Sequence, residues 1–336
     1  MKERLILPEG YNRKMSIRDT ERGVKMIKDM FEQRLAKALK LERVSAPLFV
    51  KSGMGLNDNL NGIERPVVFD LLEQPGSVYE IVHSLAKWKR MALANYGFSV
   101  GEGLYTDMNA IRRDEMTDNL HSIYVDQWDW ELVISKEQRT TEFLQDIVRK
   151  IYNVVRDAER EVSDCFGTQK KLPDEIAFFS TYELEEKYPN LTGKEREHAI
   201  AREYGAVFIS QIGGRLKNGG KHDGRAPDYD DWTLNGDIVL YYPLLDCAFE
   251  ISSMGIRVDE AALVSQLRAE GCEDRLELPF QKALVEGKLP YTIGGGIGQS
   301  RLCMYMLDCA HIGEVQSSVW PAADVEVCKA AGIKLL

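Results

Sequence analysis

Residues 291–302 read YTIGGGIGQSRL, and this stretch decides the fold of the chain. An extended YTI leads into a glycine run over 294–298, and the apolar residues that follow predict that a helix opens at the end of the run. Glycines allow the backbone to approach a ligand closely, and amides at a helix start can face a phosphate or a base. Arg301, one turn inside this helix, would be able to stack on a purine or grip a phosphate with its guanidinium fork. Tight packing of the strand against the helix is the competing explanation for the glycines alone.

Upstream of this stretch, short apolar segments between polar turns predict strands, and longer segments with a three- and four-residue period predict helices. Strands are predicted over 44–50, 66–72, 77–84, 103–111, 121–134, 175–181, 206–212, 236–245 and 247–258. Helices are predicted over 19–40, 137–165 and 193–204 and from Glu260 onward. Because many strands follow one another along the chain, we expect an α+β fold in which helices flank an antiparallel β-sheet. Residues 213–232, rich in glycine and charge, predict one mobile surface loop, and the lack of linkers or repeats predicts a single domain over 1–336.

The composition is that of an ordinary globular protein, with 336 residues, 44% hydrophobic and 29% charged, and a formal net charge of −10 at pH 7. Without a basic run, the sequence predicts no nucleic-acid partner and no acidic membrane partner. No apolar run approaches the roughly 18 residues of a membrane span, and Pro8 and Gly10 interrupt the stretch where a signal peptide needs an apolar core. We therefore expect a cytoplasmic protein. The six cysteines form no CxxC pair and predict reduced, structural thiols.

Several cations stand near predicted strands, where they would suit a polyphosphate. The string RRDE (112–115) ends the predicted strand over 103–111. A surface cluster of salt bridges is the plain alternative for such a string. Further upstream, HSLAKWKR (83–90) gathers two lysines and an arginine around a tryptophan, and Glu102 stands between two glycines.

Oxygen donors on two late strands predict a magnesium site. Glu250 and Ser253, with Asp237 on the preceding strand, offer the oxygens that hydrated Mg²⁺ prefers when it bridges ATP phosphates. Period-two alternation places Glu250 and Ser253 on opposite faces of a strand unless a β-bulge intervenes. A charged, solvent-facing surface is the alternative. The string DQWDWE (126–131) mixes carboxylates with two tryptophans, which argues against a bare surface strand.

Three strings, occurring in this order, resemble the signature motifs of class II aminoacyl-tRNA synthetases. VSAPLF (44–49) is similar to motif 1 with its interface proline, RRDE (112–115) to the core of motif 2, and GGGIGQSRL (294–302) to the glycines and final arginine of motif 3. Longer strings spread from about residue 57 to 323 resemble the ammonia-dependent asparagine synthetases of the A type. They include DNLNG, VHSLAKWKR, FSVGEGLYTDM, YVDQWDWE, RAPDYDDW, FEISSMGIRVD, HIGEVQ and VWPAA.

This resemblance implies a class II synthetase-like catalytic core with particular residues around each substrate. Arg112 would bind the α-phosphate of ATP, and Arg301 would clasp the adenine and the far phosphate. The residues implied to bind aspartate are Asp58, Ser84, Lys89, Gln127, Asp129 and Ser253. Those implied to bind ATP are Glu102, Arg112, Arg225, Asp230, Gly296, Gly298 and Arg301. Asp237 and Glu250 would hold Mg²⁺, and the catalytic residues would be Lys89, Arg112 and Arg301.

The implied reaction joins the β-carboxylate of aspartate to AMP, releases pyrophosphate, and then lets ammonia displace AMP. Asp58 and Glu102 are both open as the group that takes a proton from ammonium. The motif 1 match also implies a homodimer.

Three other functions compete with this reading of the sequence. An aminoacyl-tRNA synthetase predicts an anticodon-binding module and a basic surface. A silent regulator predicts loss of Arg112 or Arg301, and both are present. A glutamine-dependent synthetase predicts a cysteine at the processed N-terminus, where Lys2 stands.

Overall fold

The computed structural model describes residues 5–13, 15–60 and 62–336, so Lys2 and Asn61 of the DNLNG string lie outside the described residues. The α-helices in this part of the chain are α1 (Ile17–Leu39), α2 (Ala86–Tyr96), α3 (Thr141–Phe166), α4 (Thr181–Lys187), α5 (Gly193–Tyr204), α6 (Glu260–Ala269), α7 (Pro279–Val285), α8 (Gln299–Met306) and α9 (Ala322–Ala330). Short 3-10 helices lie at Lys136–Gln138, Glu273–Glu277 and Ile312–Glu314. None of the helices in these segments is long and apolar enough to cross a membrane.

The strands build one large sheet and one small sheet. They are β1 (Leu41–Arg43), β2 (Phe49–Lys51), β3 (Val68–Phe69), β4 (Tyr79–Ile81), β5 (Gly103–Ile111), β6 (Tyr124–Val133), β7 (Ala177–Ser180), β8 (Ala206–Ser210), β9 (Asp230–Tyr242), β10 (Cys247–Arg257) and β11 (Thr292–Gly298). The large sheet has the order β1-β5-β6-β11-β10-β9-β8-β7, and the small sheet has the order β2-β4-β3. In the large sheet, only the edge pairs β1 with β5 and β7 with β8 run parallel. The predicted α+β fold with an antiparallel sheet is confirmed, and parallel pairing is confined to its edges.

The small sheet corrects three of the predicted strands. The segments predicted over 44–50, 66–72 and 77–84 shrink to β2, β3 and β4, and none of them joins the large sheet. Their aromatic side chains pack on one another, with ring centroids 5.0 Å apart for Phe49 and Phe69 and 6.0 Å apart for Phe49 and Tyr79. The expectation of one continuous sheet was wrong here because these apolar residues satisfy each other locally and do not pack on the main core.

Helices α1 and α3 cover one face of the large sheet and form its core. Ile27 and Phe31 of α1 are fully buried, and the Phe31 ring lies 4.7 Å from that of Trp128 on β6. Trp128 and Trp130 both point into this layer and have no exposed surface. Full burial of a large apolar side chain stabilises a fold by roughly 1.5–3 kcal/mol, so these residues fix which face of β6 points inward. Since alternate residues of a strand face opposite sides, Gln127, Asp129 and Glu131 must face the other side of the sheet.

Helix α2 packs on that second, polar face and buries cations there. Lys87 Nζ donates to Asp228 at 2.8 Å, and Arg90 donates to the carbonyls of Pro290 and Val258 at 2.8 and 2.7 Å. These groups are all buried or nearly so and have partners within the protein. The prediction that the cations of HSLAKWKR gather around a polyphosphate is therefore wrong, because they hold α2 to its surroundings.

The glycine-rich loop was predicted over 213–232 as an exposed segment, but its second half is buried. Apart from one bridge between Arg215 and Lys221, residues 211–229 form neither helix nor strand, as expected. The last part of the loop, however, is buried, and β9 already begins at Asp230. The amide of Gln266 on α6 fastens this part by donating to the carbonyls of Pro227 and Asp230 at 3.0 and 2.9 Å. The loop is thus pinned over the sheet and closes one side of the cavity described next.

Candidate active site

A cavity of about 440 Å³ opens on the polar face of the large sheet, where β6, β11 and β10 lie side by side. Arg112, just after β5, and Arg301, in α8, both line this cavity although most of the chain separates them. The structure brings these two together with most of the other residues named from the sequence, which are Asp58, Ser84, Gln127, Asp129, Arg225, Asp230, Glu250, Ser253, Gly296 and Gly298. The same residues therefore share one chamber.

Three residues named from the sequence do not line the chamber. Glu102 is exposed in the turn before β5, where its carboxylate accepts a hydrogen bond from the amide of Ser99 at 2.8 Å. Lys89 is fully buried beneath the floor, and Asp237 lies behind Arg225. The prediction that Glu102 binds ATP or accepts a proton is therefore wrong, because its side chain lies outside the chamber. Lys89 likewise makes no direct contact with the chamber, and any role it has in catalysis is indirect.

A row of residues directly opposite one another across neighbouring strands forms the floor. Asp129 on β6 pairs with Gly296 on β11, Gly296 with Ser253 on β10, and Ser253 with Asp237 on β9. Residues paired in this way present their side chains on the same face of a sheet. The row thus explains how positions far apart in sequence reach one site.

The glycines of β11 leave room for long polar side chains that lie across the floor. A Cβ atom on Gly294 would overlap the carboxylate of Glu131, and one on Gly296 would overlap the amide of Gln127. The glycines of the run lie within β11, and α8 begins at Gln299, at the end of the run as predicted. Their function is to let β6 side chains reach over β11.

Arg301 and Arg112 form the part of the wall that we call the outer arginines. Arg301 is held loosely, since its Nη1 donates to the carbonyl of Glu250 at 3.0 Å and its Nε to that of Leu120 at 3.4 Å. Arg112 Nε is buried and has no hydrogen-bond partner within the described residues. A buried donor without a partner is rare and costly in folded proteins, so the outer arginines suit an anionic ligand.

Helix α8 is anchored by a residue that sequence reasoning did not select. Asp126 accepts hydrogen bonds from the amide and hydroxyl of Ser300 at 3.0 and 2.8 Å, and Lys28 contributes a 3.0 Å ion pair on the same carboxylate. A carboxylate at the first turn satisfies unpaired amides and opposes the positive end of the helix dipole. Asp126 therefore sets the position of α8 and, through it, of Arg301.

A set of ion pairs that we call the inner network lies beneath the floor at Asp129. It is formed by Lys89, Asp129, Glu131, Arg257 and Asp230. Arg257 donates to Glu131 through Nε at 3.0 Å and through Nη2 at 2.7 Å, and its Nη1 pairs with Asp230. Lys89 Nζ pairs with Asp129 and lies 3.8 Å from Glu131. Burial alone would raise the pKa of Glu131, but Arg257 and Lys89 hold it below its ordinary value. The network therefore carries fixed charges of both signs in a water-poor region.

Asp58 enters the chamber next to this network from a tightly organised turn. One of its carboxylate oxygens accepts from the amide of Leu60 at 2.9 Å, and its carbonyl lies 3.0 Å from His83 Nδ1. Tyr229 also lines the chamber, and burial followed by the charges of Asp58 and Asp230 raises the pKa of its phenol well above its ordinary value. Asp58, Tyr229 and Asp230 thus line the same chamber, and Tyr229 is a further wall residue that the sequence did not reveal.

Arg225 from the glycine-rich loop reaches down to the floor. Its side chain is 8% exposed, its Nη2 donates to Asp237 at 2.6 Å, and its Nη1 pairs with Ser253. Burial raises the pKa of Asp237 to about 7, with Arg225 opposing and Glu250 adding to the rise. The charge of Glu250 therefore disfavours ionisation of Asp237, and Arg225 compensates for only part of this repulsion.

A β-bulge in the backbone of β10 turns the Glu250 side chain toward the chamber. The register against β9 shifts between Glu250 and Ser252, which is the β-bulge that the alternation of the strand required. Glu250 and Ser253 consequently both line the chamber. Burial would raise the pKa of Glu250, but the charges of Arg301, Lys194 and Arg225 hold it below its ordinary value.

The donor set fits Mg²⁺ at Glu250, and at Asp237 only if Arg225 withdraws. Magnesium is typically bound by one or two carboxylates together with substrate phosphates, and the described residues contain no cluster of three or more His, Cys, Asp or Glu that would hold a metal unaided. Among the residues that the structure describes, nine carboxylates and five cationic side chains line the chamber. Such an excess of negative charge opposes a polyphosphate unless further cations accompany it.

The chain matches the family model for aspartate-ammonia ligase over residues 18–332. It is 62% identical over 333 residues to the aspartate–ammonia ligase of Ruminiclostridium cellulolyticum, covering 99% of each chain. It is 59% identical over 335 residues to the aspartate–ammonia ligase of Clostridium perfringens, covering 99% of this chain and 100% of that one.

Among solved structures, the chain is similar to asparaginyl-tRNA synthetases. The enzyme from Pyrococcus horikoshii, solved with asparaginyl-adenylate, superposes with a TM-score of 0.63 at 14% identity, covering 90% of this chain and 70% of that one. The enzyme from Entamoeba histolytica gives 0.61 at 13% identity, covering 91% and 71%. At these identities the likeness shows the fold, which is that of a class II aminoacyl-tRNA synthetase core.

Proposed function

Since this chain belongs to the aspartate–ammonia ligase family and is an aspartate–ammonia ligase, we propose that it activates the β-carboxylate of aspartate by joining it to AMP. An ionised carboxylate resists attack by a nucleophile, and a mixed anhydride with AMP supplies a leaving group. The convergence of Arg112 and Arg301 on the chamber that also contains Asp58 and Asp129 supports this route most strongly. The fold adds support, because a neighbour of the same fold was solved with an aminoacyl-adenylate.

Aspartate would lie over the inner network with its α-ammonium between Asp58 and Asp230. Both carboxylates line the chamber, as does Tyr229, and Asp58 is oriented by its hydrogen bond from Leu60. Gln127, Ser84 and Ser253 supply neutral polar groups around the same volume. Lys89 acts as a positioning residue, because its ammonium group fixes Asp129 and does not reach the chamber. Such fixed charges lower the barrier by orienting the reacting groups before the reaction begins.

ATP would lie along the outer arginines. Arg112 would meet the α-phosphate, where negative charge develops as pyrophosphate departs, and Arg301 would hold the adenine and the far phosphate. Arg225 of the loop, which lines the chamber together with Gly296 and Gly298 of the floor, would cover the nucleotide. Glu250 and Asp237 would hold Mg²⁺, which supplies charge neutralisation of the phosphates when bound. Arg225 must then exchange its partner Asp237 for the nucleotide.

We further propose that the enzyme is a single-domain chain that works as a homodimer through the small sheet. Leu48, Phe49, Val68 and Val78 on and beside β2, β3 and β4 are between 39% and 54% exposed. A cluster of exposed apolar side chains of this kind often marks a protein interface. Sedimentation should give a dimer at micromolar concentration, and Phe49→Asp should shift it towards monomer. A wild-type monomer would contradict the proposal.

A cytoplasmic location completes the proposal. All six cysteines are free thiols in the structure, as suits a reducing compartment. Fractionation of cells that express the native chain should recover it with cytoplasmic markers, and its recovery outside the cytoplasm would refute this point.

The products test the proposed route directly. Purified protein with aspartate, ATP, Mg²⁺ and ammonium should yield asparagine, AMP and pyrophosphate in equal amounts. Glutamine at the same concentration should not replace ammonium. ADP and phosphate as nucleotide products would reject the adenylate route while leaving the ligase activity intact.

A further inference from the structure

One acceptor in the wall of the chamber has no partner. Asp129 lines the chamber, and its side chain is 4% exposed. Its Oδ1 accepts from Lys89 Nζ, whereas its Oδ2 is buried and has no hydrogen-bond partner among the described residues. Buried carboxylate oxygens in native proteins are nearly always paired, so an orphaned one in a chamber wall indicates the place of a donor on a ligand.

The neighbouring carboxylates are committed to other partners. Glu131 accepts from Arg257 and from the hydroxyl of Thr292 at 2.7 Å, and Asp230 pairs with Arg257. Asp58 and Asp230 both line the chamber, and the function proposed above gives them the single α-ammonium group of aspartate, which Asp230 would receive while keeping its ion pair with Arg257. Of the two oxygens of Asp129, Lys89 pairs only with Oδ1. Since an aspartate molecule carries one ammonium group, which Asp58 and Asp230 would receive, aspartate supplies no cation for Oδ2. The second cationic substrate of the reaction is ammonium.

We propose that Asp129 Oδ2 binds the ammonium ion and accepts the proton that must leave before nitrogen can attack. This assignment rests on the adenylate route proposed above. An N–H bond of ammonium breaks and an O–H bond forms on Oδ2, which leaves a lone pair on neutral ammonia. That lone pair forms the C–N bond at the β-carbonyl carbon, the C–O bond to AMP breaks, and AMP departs with the electron pair. The nitrogen releases one further proton to solvent, and Asp129 returns its own proton to solvent before the next turnover.

The surroundings of Asp129 fix its Oδ1 and leave Oδ2 without a hydrogen-bond partner among the described residues. Lys89 on α2 is locked by the carbonyls of Trp130 at 2.9 Å and Gly295 at 3.0 Å, so it holds Oδ1 in one position. The other charged groups facing this point are Glu131 on the same strand and Arg257 on β10. Burial lowers the pKa of Lys89, against the opposing charges of Asp129 and Glu131. Lys89 is thus a positioning residue for the proton acceptor.

Asp129→Asn separates this role from the binding of aspartate. In the absence of ammonium, aspartate-dependent exchange of labelled pyrophosphate into ATP should fall at least tenfold less than amide formation does. In amide formation, kcat/KM for ammonium should fall by roughly 100-fold or more, the usual size of a proton-transfer contribution. The remaining activity should rise with pH in step with the fraction of free ammonia. Asp58→Asn serves as the contrast, because it should impair pyrophosphate exchange and amide formation together.

Hydroxylamine provides a second readout because it is uncharged at neutral pH and needs no proton removed before it attacks. Asp129→Asn should form β-aspartyl hydroxamate within a few-fold of the wild-type rate. An equal loss with hydroxylamine and ammonium would mean that the substitution only displaces the floor, and unchanged activity with ammonium would mean that Asp129 accepts no proton. Loss of pyrophosphate exchange in the variant would assign Asp129 to aspartate instead. Each of these three results overturns the proposal.

Two further controls keep the test decisive. If Asp129→Asn does not fold, Asp129→Glu retains the charge and moves the oxygen by one methylene, and it should raise KM for ammonium while preserving pyrophosphate exchange. Equal KM for ammonium in Asp129→Glu and wild type would overturn the assignment. Absence of exchange in the wild-type enzyme would instead reject the adenylate route itself.

Discussion

The inner network and the outer arginines are both built from charged side chains, yet the protein treats them differently. In the inner network every cation meets a carboxylate, and Lys89, Glu131 and Arg257 are at most 3% exposed. Arg301 keeps 23% of its side chain exposed and lies 3.9 Å from Glu250, and Arg112 has an unsatisfied Nε. The cations of the aspartate end are thus paired before substrate arrives, whereas the nucleotide end waits for an anion. Stability should therefore depend on the first region and ATP binding on the second.

The largest expected effect comes from breaking the inner network. Glu131→Gln removes the carboxylate that Arg257 and Thr292 share and leaves two buried cations with less compensation. Removing one partner of a buried pair typically costs about 3–5 kcal/mol. Urea unfolding should show a loss of that size, and a loss below about 1 kcal/mol would contradict the description of the network as a structural unit.

Replacing an outer arginine should produce the reverse pattern. Arg301→Ala should lower kcat/KM for ATP by roughly 100- to 1,000-fold, the usual loss when a fixed electrostatic group facing the reacting centre is removed. The free energy of unfolding should change by less than about 1 kcal/mol, because the only ion pair in which Arg301 takes part within the described residues is long and partly exposed. Arg301→Lys tests whether charge alone suffices; we expect it to restore only part of the activity. Wild-type kinetics in Arg301→Ala would remove this residue from the site.

A smaller effect should come from the floor that joins the two regions. Gly296→Ala places a methyl group where the Gln127 amide lies, so Gln127 must move. KM for aspartate should rise about tenfold, corresponding to roughly 1.4 kcal/mol. Gly298→Ala is the matched control, since its added Cβ would lie 3.2 Å from that of Arg301 and meets no polar group. Equal KM values for aspartate in the two variants would mean that the glycines serve packing alone.

The smallest effect concerns the carboxylates at the boundary. The pKa of Asp237 is raised from 3.8 to about 7, so the folded protein binds its proton more tightly than the unfolded chain does. Its contribution to stability is therefore complete below pH 3.8 and is lost as pH rises through about 7. Without Mg²⁺, Asp237→Asn should lose less stability than wild type between pH 5 and pH 8, by about 1–4 °C in Tm. An identical pH dependence of Tm would show that Asp237 is not perturbed.

Sequence patterns predicted the fold and most positions of the chamber, but not the depth of each side chain. Periodicity identified α1, α3 and the long strands, since one face of each packs on the core. The match around Lys89 placed it near aspartate, yet nothing in HSLAKWKR indicates that this lysine is buried beneath Asp129. Glu102 stands between glycines in a matching string and lies at the far end of its strand. Motif matches preserve order along the chain, whereas burial depends on contacts between distant segments.

Two further features depend on backbone detail that a sequence does not carry. The bulge between Glu250 and Ser252 brings Glu250 into the chamber, and strict alternation would have separated it from Ser253. The role of the glycines depends on the positions of Gln127 and Glu131 over β11, which follow from the pairing of β6 with β11. Asp126 and Tyr229 were missed because their positions follow from the packing of α8 and of the loop before β9.

Transfer of oxygen from aspartate to AMP tests the central claim most directly. Aspartate labelled with oxygen-18 in its β-carboxylate should be converted by the enzyme with ATP, Mg²⁺ and ammonium, and the nucleotide product should be examined by mass spectrometry. If the carboxylate is joined to AMP within this chamber, one labelled oxygen appears in each AMP and none in pyrophosphate. Label in inorganic phosphate, with ADP as the nucleotide product, would contradict the account.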